Sequence, residues 1–425
     1  MTRTAASAES AVQALTVETT PLDDVRQLIP FLDPRQPLLW LRRGEGIAGV
    51  GEAVRLEFTG PRRIADAADA WRELAAAATV TDPVRLPGTG LVAFGSFAFA
   101  DESEQASVLI VPSLVIGRRG GRSWVTRISA GDAGGVERAD AGAAAAPKPT
   151  PFGPEFRLTM APGRLSAAGY GEAVAAAVDR IATGEVGKVV LARELRAHLP
   201  AEADVRRALV ELALGYSECW TFAVDGFVGA SPETLVRVIA GRVDAQVLAG
   251  TAARGADADA DARAADTLRA SRKDRAEHTF AVDSVLESLR GHTGALETSA
   301  PFTLKLPNLW HLATDVAGTL ADGSSALDLV AALHPTAAVA GTPREAALAL
   351  IRELEPFDRG RYAGPTGWIG ADGSGEWAIA LRSAQLAPDG DLTAYAGGGI
   401  VADSDPVLEV AETTMKFRPI VEAFG

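Results

Sequence analysis

The chain has 425 residues, of which 47% are hydrophobic and 23% are charged. This composition is typical of a soluble globular protein with a large core, arranged as one large domain or two smaller ones. A formal net charge of −14 argues against broad binding to nucleic acid, although it does not exclude a local basic pocket for a small anion.

The cysteine and histidine content limits the metal chemistry. Cys219 is the single cysteine, so one chain forms neither a disulfide nor a thiolate zinc site, which fits a reducing cytoplasm. None of the five histidines forms an H-x-x-x-H pair, so a metal site would depend on carboxylates. Residues 1–20 do not resemble a signal peptide, and no apolar run reaches transmembrane length. The sequence therefore predicts a cytoplasmic protein without membrane association.

The first third of the chain alternates strand and helix patterns. Residues 1–20 are small and polar and are expected to be frayed. A hairpin is expected between residues 106–116 and 123–128, and the aperiodic segment 130–151 is typical of a surface loop or linker. Apolar periodicity also predicts strands at 38–40, 54–58 and 91–99 and a helix at 64–78.

A lysine stands out in the next segment. A helix is predicted at 170–182, followed by an alternating strand at 186–197. Lys188 lies in that strand, on the side that otherwise carries small and apolar residues. It is either an edge-strand lysine that prevents aggregation or a partly desolvated amine that acts as a base.

A carboxylate follows a predicted hairpin. Residues 220–230 form the hairpin across Asp225-Gly226, and Ser231-Pro-Glu233 leads into the next strand. Glu233 is held by the backbone at a strand junction, either as a turn residue or as an acid. Further strands are predicted at 234–239 and 243–248, with residues 249–255 ending the second.

One long helix is predicted at 261–289 and contains Glu277 on its apolar side. A buried carboxylate is costly unless it is paired or bound to a metal, so Glu277 is either such a group or a surface residue at the edge of a face. A strand at 308–320 contains His311, which by itself is more often a hydrogen-bonded core residue than a ligand. The remaining predictions are helices at 327–333 and 345–354 and strands near 369 and at 377–381.

Arg382 closes the last of these strands, where its guanidinium either grips a carboxylate bidentately or forms a surface salt bridge. Near the C-terminus, glycines 397–399 follow a strand end and are expected to let backbone N–H groups approach a ligand. Asp405 is the expected N-cap of the final helix, with a proline at its first position. On that helix Glu409, Glu412 and Lys416 share one face, which suits an anion bound with a divalent cation or, alternatively, a solvated surface.

Taken together, these motifs resemble the chorismate-utilising enzymes. That family includes isochorismate synthases, salicylate synthases, anthranilate synthase large subunits and aminodeoxychorismate synthases. The resemblance covers about residue 155 to the C-terminus, and the N-terminal third matches only in its strand pattern. The motifs that carry it are Lys188-Val-Val-Leu-Ala-Arg193, Ser231-Pro-Glu233, Leu248-Ala-Gly-Thr251, Glu277-His278, Leu333-His-Pro-Thr336 with Gly341-Thr-Pro-Arg344, Tyr362-Ala-Gly-Pro365, and Gly397 to Lys416.

The resemblance implies a fold and a domain layout. The expected fold is one large α/β (α+β) domain in which two antiparallel-rich sheets pack face to face, with helices outside and the site in a cleft. Residues 1–20 would be a flexible N-terminus, 21–154 the N-terminal part of the domain, and 155–425 the chorismate-binding region. The protein would act as a monomer on a small-molecule substrate, chorismate.

The resemblance also implies roles for individual residues. Lys188 would deprotonate a water that attacks C2 of chorismate, and Glu233 would protonate the leaving C4 hydroxyl. Glu277 and Glu412 would hold Mg²⁺, with Glu409 beside it through water. The other substrate-binding residues would be Thr251 near the ring carboxylate, His311 near C4 or Glu233, Ala338, and, around the enolpyruvyl carboxylate, Tyr362, Arg382, Gly397, Gly399 and Lys416.

Three positions favour one subfamily. Ala249 stands where aminodeoxychorismate synthases carry a nucleophilic lysine, so the covalent route is absent. Ala338 stands where amine-using members usually carry threonine, and Gly341-Thr-Pro-Arg344 replaces their typical Gly-Ala-Pro-Lys. The sequence therefore looks most like isochorismate synthase, an isomerase of siderophore or menaquinone biosynthesis.

Two alternatives remain open. A salicylate synthase would add pyruvate elimination in the same pocket. A non-catalytic protein of the same fold would only bind anions or a partner subunit, but the presence of the base, the acid and both metal-binding glutamates argues against it.

Overall fold

The protein is described by a computed structural model that covers residues 14–130, 148–306 and 309–425. The helices of these ranges are α1 (Arg63–Ala77), α2 (Ala167–Ala182), α3 (Arg206–Gly215), α4 (Ala258–Ala270), α5 (Arg272–Leu289), α6 (Ala326–Leu333), α7 (Arg344–Leu354) and α8 (Pro406–Phe424). The strands are β1 (Leu15–Leu22), β2 (Leu38–Arg42), β3 (Glu45–Val50), β4 (Val54–Phe58), β5 (Thr79–Thr81), β6 (Val92–Ser96), β7 (Ser107–Val111), β8 (Leu114–Arg119), β9 (Arg122–Ala130), β10 (Ala161–Pro162), β11 (Lys188–His198), β12 (Trp220–Val224), β13 (Phe227–Ser231), β14 (Thr234–Ile239), β15 (Arg242–Ala253), β16 (Glu297–Thr298), β17 (Phe302–Lys305), β18 (Leu309–Thr319), β19 (Gly341–Thr342), β20 (Pro365–Gly370), β21 (Gly375–Ile379), β22 (Ser383–Leu386) and β23 (Asp391–Ile400).

The strands form two large sheets. The first runs in the order β10-β11-β23-β22-β13-β12-β2-β3-β8-β9-β1-β5, with β19 also paired to β11. The second runs β16-β18-β15-β14-β21-β20-β6-β7-β4, with β17 also paired to β18. Neighbouring strands pair antiparallel, apart from the parallel pair β1–β5. The expected fold of two antiparallel-rich sheets with helices is confirmed.

One apolar core joins the two sheets. It contains fully buried aromatic side chains from both, including Trp40 and Trp124 of the first sheet and Phe94, Trp368 and Trp377 of the second. Strands from the first third of the chain lie beside later strands in each sheet, since β2 pairs with β12 in the first sheet and β6 pairs with β20 in the second. The segments before and after residue 154 therefore both contribute strands to both sheets.

The N-terminal expectations need two corrections. Residues 15–20 are not frayed: they lie in β1, which pairs with β9 along its whole length and buries Leu15 and Val17. The predicted strand 106–116 is two strands, because the chain crosses between sheets at Pro112 and puts β7 in the second sheet and β8 in the first. Residues 1–13 and most of the expected linker, 131–147, lie outside the described residues.

The predicted helix 261–289 is interrupted. Ser271 is extended (ψ 119°) and separates α4 from α5, and its side chain accepts a hydrogen bond from Asp274 N as the N-cap of α5. A serine followed three residues later by an acid is the signal that would have located this break. The strand expected at 308–320 is confirmed as β18, whereas Asn308 lies outside the described residues.

Two strands near the site are longer than expected. β15 continues to Ala253 through a bulge between Ala249 and Thr251, where Gly250 has a φ of +81°. Glycines 397–399 do not form a loop, because they pair with β11 as part of β23. In both cases a partner strand supplies hydrogen bonds that local composition does not reveal. The predicted helices at 64–78, 170–182, 327–333 and 345–354 and the Asp225-Gly226 hairpin are confirmed, with ends shifted by at most three residues.

Candidate active site

A cavity of about 170 Å³ lies between the two sheets and is bounded by α5 and α8. It gathers side chains from β11, β15, β18 and β23, which are distant in sequence. All thirteen residues that the sequence predicts for the site line it: Lys188, Glu233, Thr251, Glu277, His311, Ala338, Tyr362, Arg382, Gly397, Gly399, Glu409, Glu412 and Lys416.

The predicted base is engaged in an ion pair. Lys188 begins β11, is only 8% exposed, and donates from Nζ to Glu277 Oε1 of α5 at 2.5 Å. The aggregation-blocking role of an exposed edge lysine is therefore excluded, because the ammonium points into the cavity. An amine acts as a base only without its extra proton, so Lys188 must both leave this ion pair and lose a proton before it can accept another.

A second ion pair lies on α8. Lys416 contacts Glu412 at 2.6 Å, one helical turn away, and donates to Gly397 O at 2.8 Å. Burial disfavours the charge of Glu412, but Lys416, together with His311 and Arg382, outweighs burial, so the pKa of this carboxyl is lowered. Nearby, Ser404 donates to Glu409 Oε1 at 2.8 Å. This face of α8 is therefore part of the cavity wall and not a solvated surface.

The glycines of β23 expose backbone to the cavity. Val190, opposite Gly399, donates its N–H to Ala340 O and not to β23. Opposite residues of an antiparallel pair exchange both hydrogen bonds or neither, so Gly399 and, by alternation, Gly397 direct their N–H groups away from β11. A Cβ at Gly399 would lie 2.9 Å from Lys188 Cε. A side chain at this position would therefore displace the end of Lys188.

Glu233 is a buried acid. It follows β13, where its N–H donates to Ser231 Oγ and its carbonyl accepts from Ile379 N, so the backbone holds it firmly. No residue of the described ranges donates a hydrogen bond to its carboxyl. Burial raises its pKa to about 8, although Lys188 and Arg382 act in the opposite direction. The carboxyl therefore keeps its proton at neutral pH.

Arg382 brings a positive charge into the cavity. Its backbone is left-handed (φ 50°), its residue is 8% exposed, and burial lowers its pKa. Within the described part of the chain its guanidinium forms no salt bridge, which excludes the surface role and suits an anionic ligand. Tyr362, beside it, stacks on Tyr395 with ring centroids 5.2 Å apart.

His311 is neutral. Its Nδ1 lies 3.1 Å from Thr251 Oγ1 and 3.3 Å from Gly250 O, and burial lowers its pKa to about 3. Nε2 is buried without a hydrogen-bond partner among the described residues, although the ring lines the cavity. His311 is thus both a core residue and a group able to bond a ligand.

The predicted metal ligands face the same cavity from two helices. Across the described ranges, no three Asp, Glu, His or Cys side chains lie close enough to hold one ion. Mg²⁺ in enzymes needs only one or two protein carboxylates beside waters and substrate oxygens, so Glu277 and Glu412 fit it in kind and number. Each must first release the lysine that now pairs with it.

Two charged residues that line the cavity were not predicted from the sequence. Asp274 precedes Glu277 by three residues on α5 and therefore lies on the same helix face, a spacing that could have found it. Arg359 forms a buried pair with Glu355 at 2.6 Å and donates to Val190 O. It holds β11 in place beside the cavity.

Comparisons with known proteins agree with this site. A family model described as "Chorismate binding enzyme" matches residues 2–425. The salicylate biosynthesis isochorismate synthase of Pseudomonas aeruginosa is 35% identical over 433 residues, covering 97% of this chain and 90% of that protein. The isochorismate synthase DhbC of Bacillus subtilis is 39% identical over 269 residues, covering 60% of this chain and 67% of that protein.

Among solved structures, MenF, the menaquinone-specific isochorismate synthase from Escherichia coli, superimposes with a TM-score of 0.76 at 25% identity. The match covers 96% of this chain and 95% of that chain. The chain therefore belongs to the family of chorismate binding enzymes, and the family resemblance of its motifs is confirmed. No helix in the described ranges is long and apolar enough to cross a membrane.

Proposed function

We propose that this protein converts chorismate to isochorismate. The observation that carries the proposal is that Lys188, the buried acid Glu233 and the guanidinium of Arg382 line one cavity. The chain is also similar to proteins that are named isochorismate synthases. Water attacks C2 of the ring, the double bond shifts, and the C4 hydroxyl leaves. The atoms balance, because one water is added and one is released.

The reaction needs a base and an acid. Lys188 takes a proton from the attacking water after its ion pair with Glu277 has opened and its ammonium has released a proton to solvent. Glu233 gives its proton to the departing C4 hydroxyl, which would otherwise have to leave as hydroxide. A pKa near 8 keeps that proton available at neutral pH. Arg382, Tyr362, Lys416 and the amides of Gly397 and Gly399 bind the enolpyruvyl carboxylate.

Glu277 and Glu412 would hold Mg²⁺, with Glu409 close to it through water. When bound, the ion supplies positive charge for the ring carboxylate of the substrate. Glu277 and Glu412 pair with Lys188 and Lys416 in this structure, and each carboxylate would have to exchange its lysine for the ion, which would leave both lysines available for the substrate.

The metal assignment predicts a specific loss. Glu412→Gln and Glu277→Gln should each abolish Mg²⁺-dependent turnover and Mg²⁺ binding measured by calorimetry, because a neutral amide is a poor ligand for a hard cation. Circular dichroism should show an unchanged fold. Full activity of Glu412→Gln at ordinary Mg²⁺ would remove this residue from the metal site.

Product analysis tests the function itself. Purified protein, chorismate and Mg²⁺ should yield isochorismate by chromatography, with no pyruvate in a coupled assay. Stoichiometric pyruvate with salicylate would make the protein a salicylate synthase. An aminated product in the presence of ammonium would reject both activities, and unchanged chorismate would leave a binding protein.

A further inference from the structure

A second, much smaller cavity adjoins the acid Glu233. Its volume is about 10 Å³, and Glu233 and Ala338 line both this cavity and the main one. The rest of its wall is largely apolar and comes from β14, β15, β21 and α5, for example Val247 and Ala281. Thr234 and Gln246 also line it, but their side chains already bond Trp220 and Asp315. A space of about 10–15 Å³ on this measure holds one water molecule, provided that polar groups face it.

Thr336 supplies such a polar group. It lines the small cavity, is only 8% exposed, and its Oγ1 is buried with no hydrogen-bond partner in the described ranges. Its backbone is fixed, because Val339 N and Ala340 N both donate to Thr336 O. A buried hydroxyl without a partner is unfavourable by roughly 1–3 kcal/mol, so a partner inside the cavity is expected.

The Glu233 carboxyl also lacks a hydrogen-bond donor among the described residues. The charged groups that act on it are Lys188, Arg382 and Lys416, and all three line the main cavity and not the small one. Tyr362 also faces it from the main cavity. Glu233 shares the lining of the small cavity with Thr336, whose hydroxyl is neutral.

We propose that one water molecule occupies this small cavity and bonds the Thr336 hydroxyl to the Glu233 carboxyl, which makes Thr336 a positioning residue for the acid. The inference rests on the proposed function, in which Glu233 protonates the C4 hydroxyl. A carboxyl with one oxygen tied to the buried water presents the other oxygen to the substrate. Two polar partners are the minimum for an ordered buried water, and these two groups provide them.

If Thr336 positions the acid, removal of its hydroxyl should lower kcat and leave KM unchanged. Thr336→Val keeps the side-chain shape but removes the hydroxyl, so kcat should fall about tenfold, the equivalent of one hydrogen bond of about 1.4 kcal/mol. KM should stay unchanged, because Thr336 does not line the main cavity. Thr336→Ser retains the hydroxyl and should restore kcat.

A matched control separates this role from a general effect on the core. Thr366→Val removes another buried hydroxyl, which lies on β20 outside both cavities and donates to Gly95 O of β6. It should leave kcat unchanged. Thermal unfolding midpoints of the variants report any loss of folding.

Crystallography of the parent enzyme gives the direct test. Electron density should show a water within hydrogen-bond distance of Thr336 Oγ1 and the Glu233 carboxyl, and this density should vanish in Thr336→Val. A dry cavity, or parental kcat in Thr336→Val, would overturn the proposal. The electron density does not depend on turnover, so it tests for the bridging water even if the parent enzyme makes no isochorismate. Absence of isochorismate would refute only the proposed function.

Discussion

Two buried glutamates in different parts of the fold show opposite ionisation. Glu376, on β21 in the core between the sheets, is 1% exposed, and Glu233, at the active-site cavity, is 6% exposed. Burial by itself acts to raise the pKa of both carboxyls, because it removes the water that solvates a charge. The pKa of Glu376 is nevertheless lowered, whereas that of Glu233 is raised to about 8.

The charge of a directly paired arginine, Arg119, and hydrogen bonds to the carboxylate make the difference. Glu376 accepts two bonds from Arg119 and one from Arg237, at 2.9–3.1 Å, and indole N–H groups of Trp40 and Trp368 complete the set. These donors come from both sheets and stabilise the ionised form. Glu376 therefore links the two sheets through these hydrogen bonds.

Glu233 has nearby cations but no donor to its carboxyl among the described residues. Lys188, Arg382 and Lys416 reduce the effect of burial without reversing it. Burial thus creates an ionised structural group where donors surround the carboxylate, and a proton donor where they do not. The comparison predicts that the two residues fail in different ways when they are changed.

The largest effect should be on catalysis. Glu233→Gln removes the proton donor and should lower kcat by about 10²–10⁴-fold, the usual contribution of general acid–base catalysis. Lys188→Ala should lower kcat to a similar extent. Steady-state assays measure the loss, and unchanged thermal unfolding midpoints would show that the fold is intact. Parental turnover in either variant would assign that role to another group.

The next effect should be on stability. Glu376→Gln leaves two arginines without their buried partner and should reduce the free energy of unfolding by about 3–5 kcal/mol. Denaturant titration measures this loss, and kcat per folded molecule should stay near the parental value. Glu422→Gln, which removes the exposed pair with Arg418, is the control and should change stability by about 1 kcal/mol or less. Equal losses in both variants would contradict the role of Glu376.

The smallest effect is a pH dependence. The acid form of Glu233 exists below its folded pKa of about 8, so kcat/KM should fall about tenfold per pH unit above that value. The same pKa shift affects the free energy of unfolding. The raised pKa of Glu233 contributes its full stabilisation below about pH 4.5, the pKa of the carboxyl in the unfolded chain, and this contribution is lost as the pH rises towards 8. Urea titrations across this range should show a decline that Glu233→Gln removes. A decline that persists in Glu233→Gln would come from another group.

Local signals in the sequence were sufficient for several elements. Asp225 and Gly226 both have positive φ in the predicted hairpin turn, and Asp405 caps α8 through Val407 N and Leu408 N as its position before a proline indicates. These features depend on residues within one turn of each other, so sequence neighbours suffice to predict them. The order and type of the motifs likewise identified the family and the residues that line the cavity.

Only the tertiary structure decided features that depend on distant partners. The glycines at 397–399 lie in a strand because β11, about 200 residues earlier, pairs with them. Lys188 and Glu277 form an ion pair although 89 residues separate them, and the opposite ionisation of Glu233 and Glu376 follows from which donors the folded chain brings to each. The sequence by itself determined the local turns, the caps and the kinds of chemical groups available. Their protonation and pairing were decided by folding, because burial and charge act through space and not along the chain.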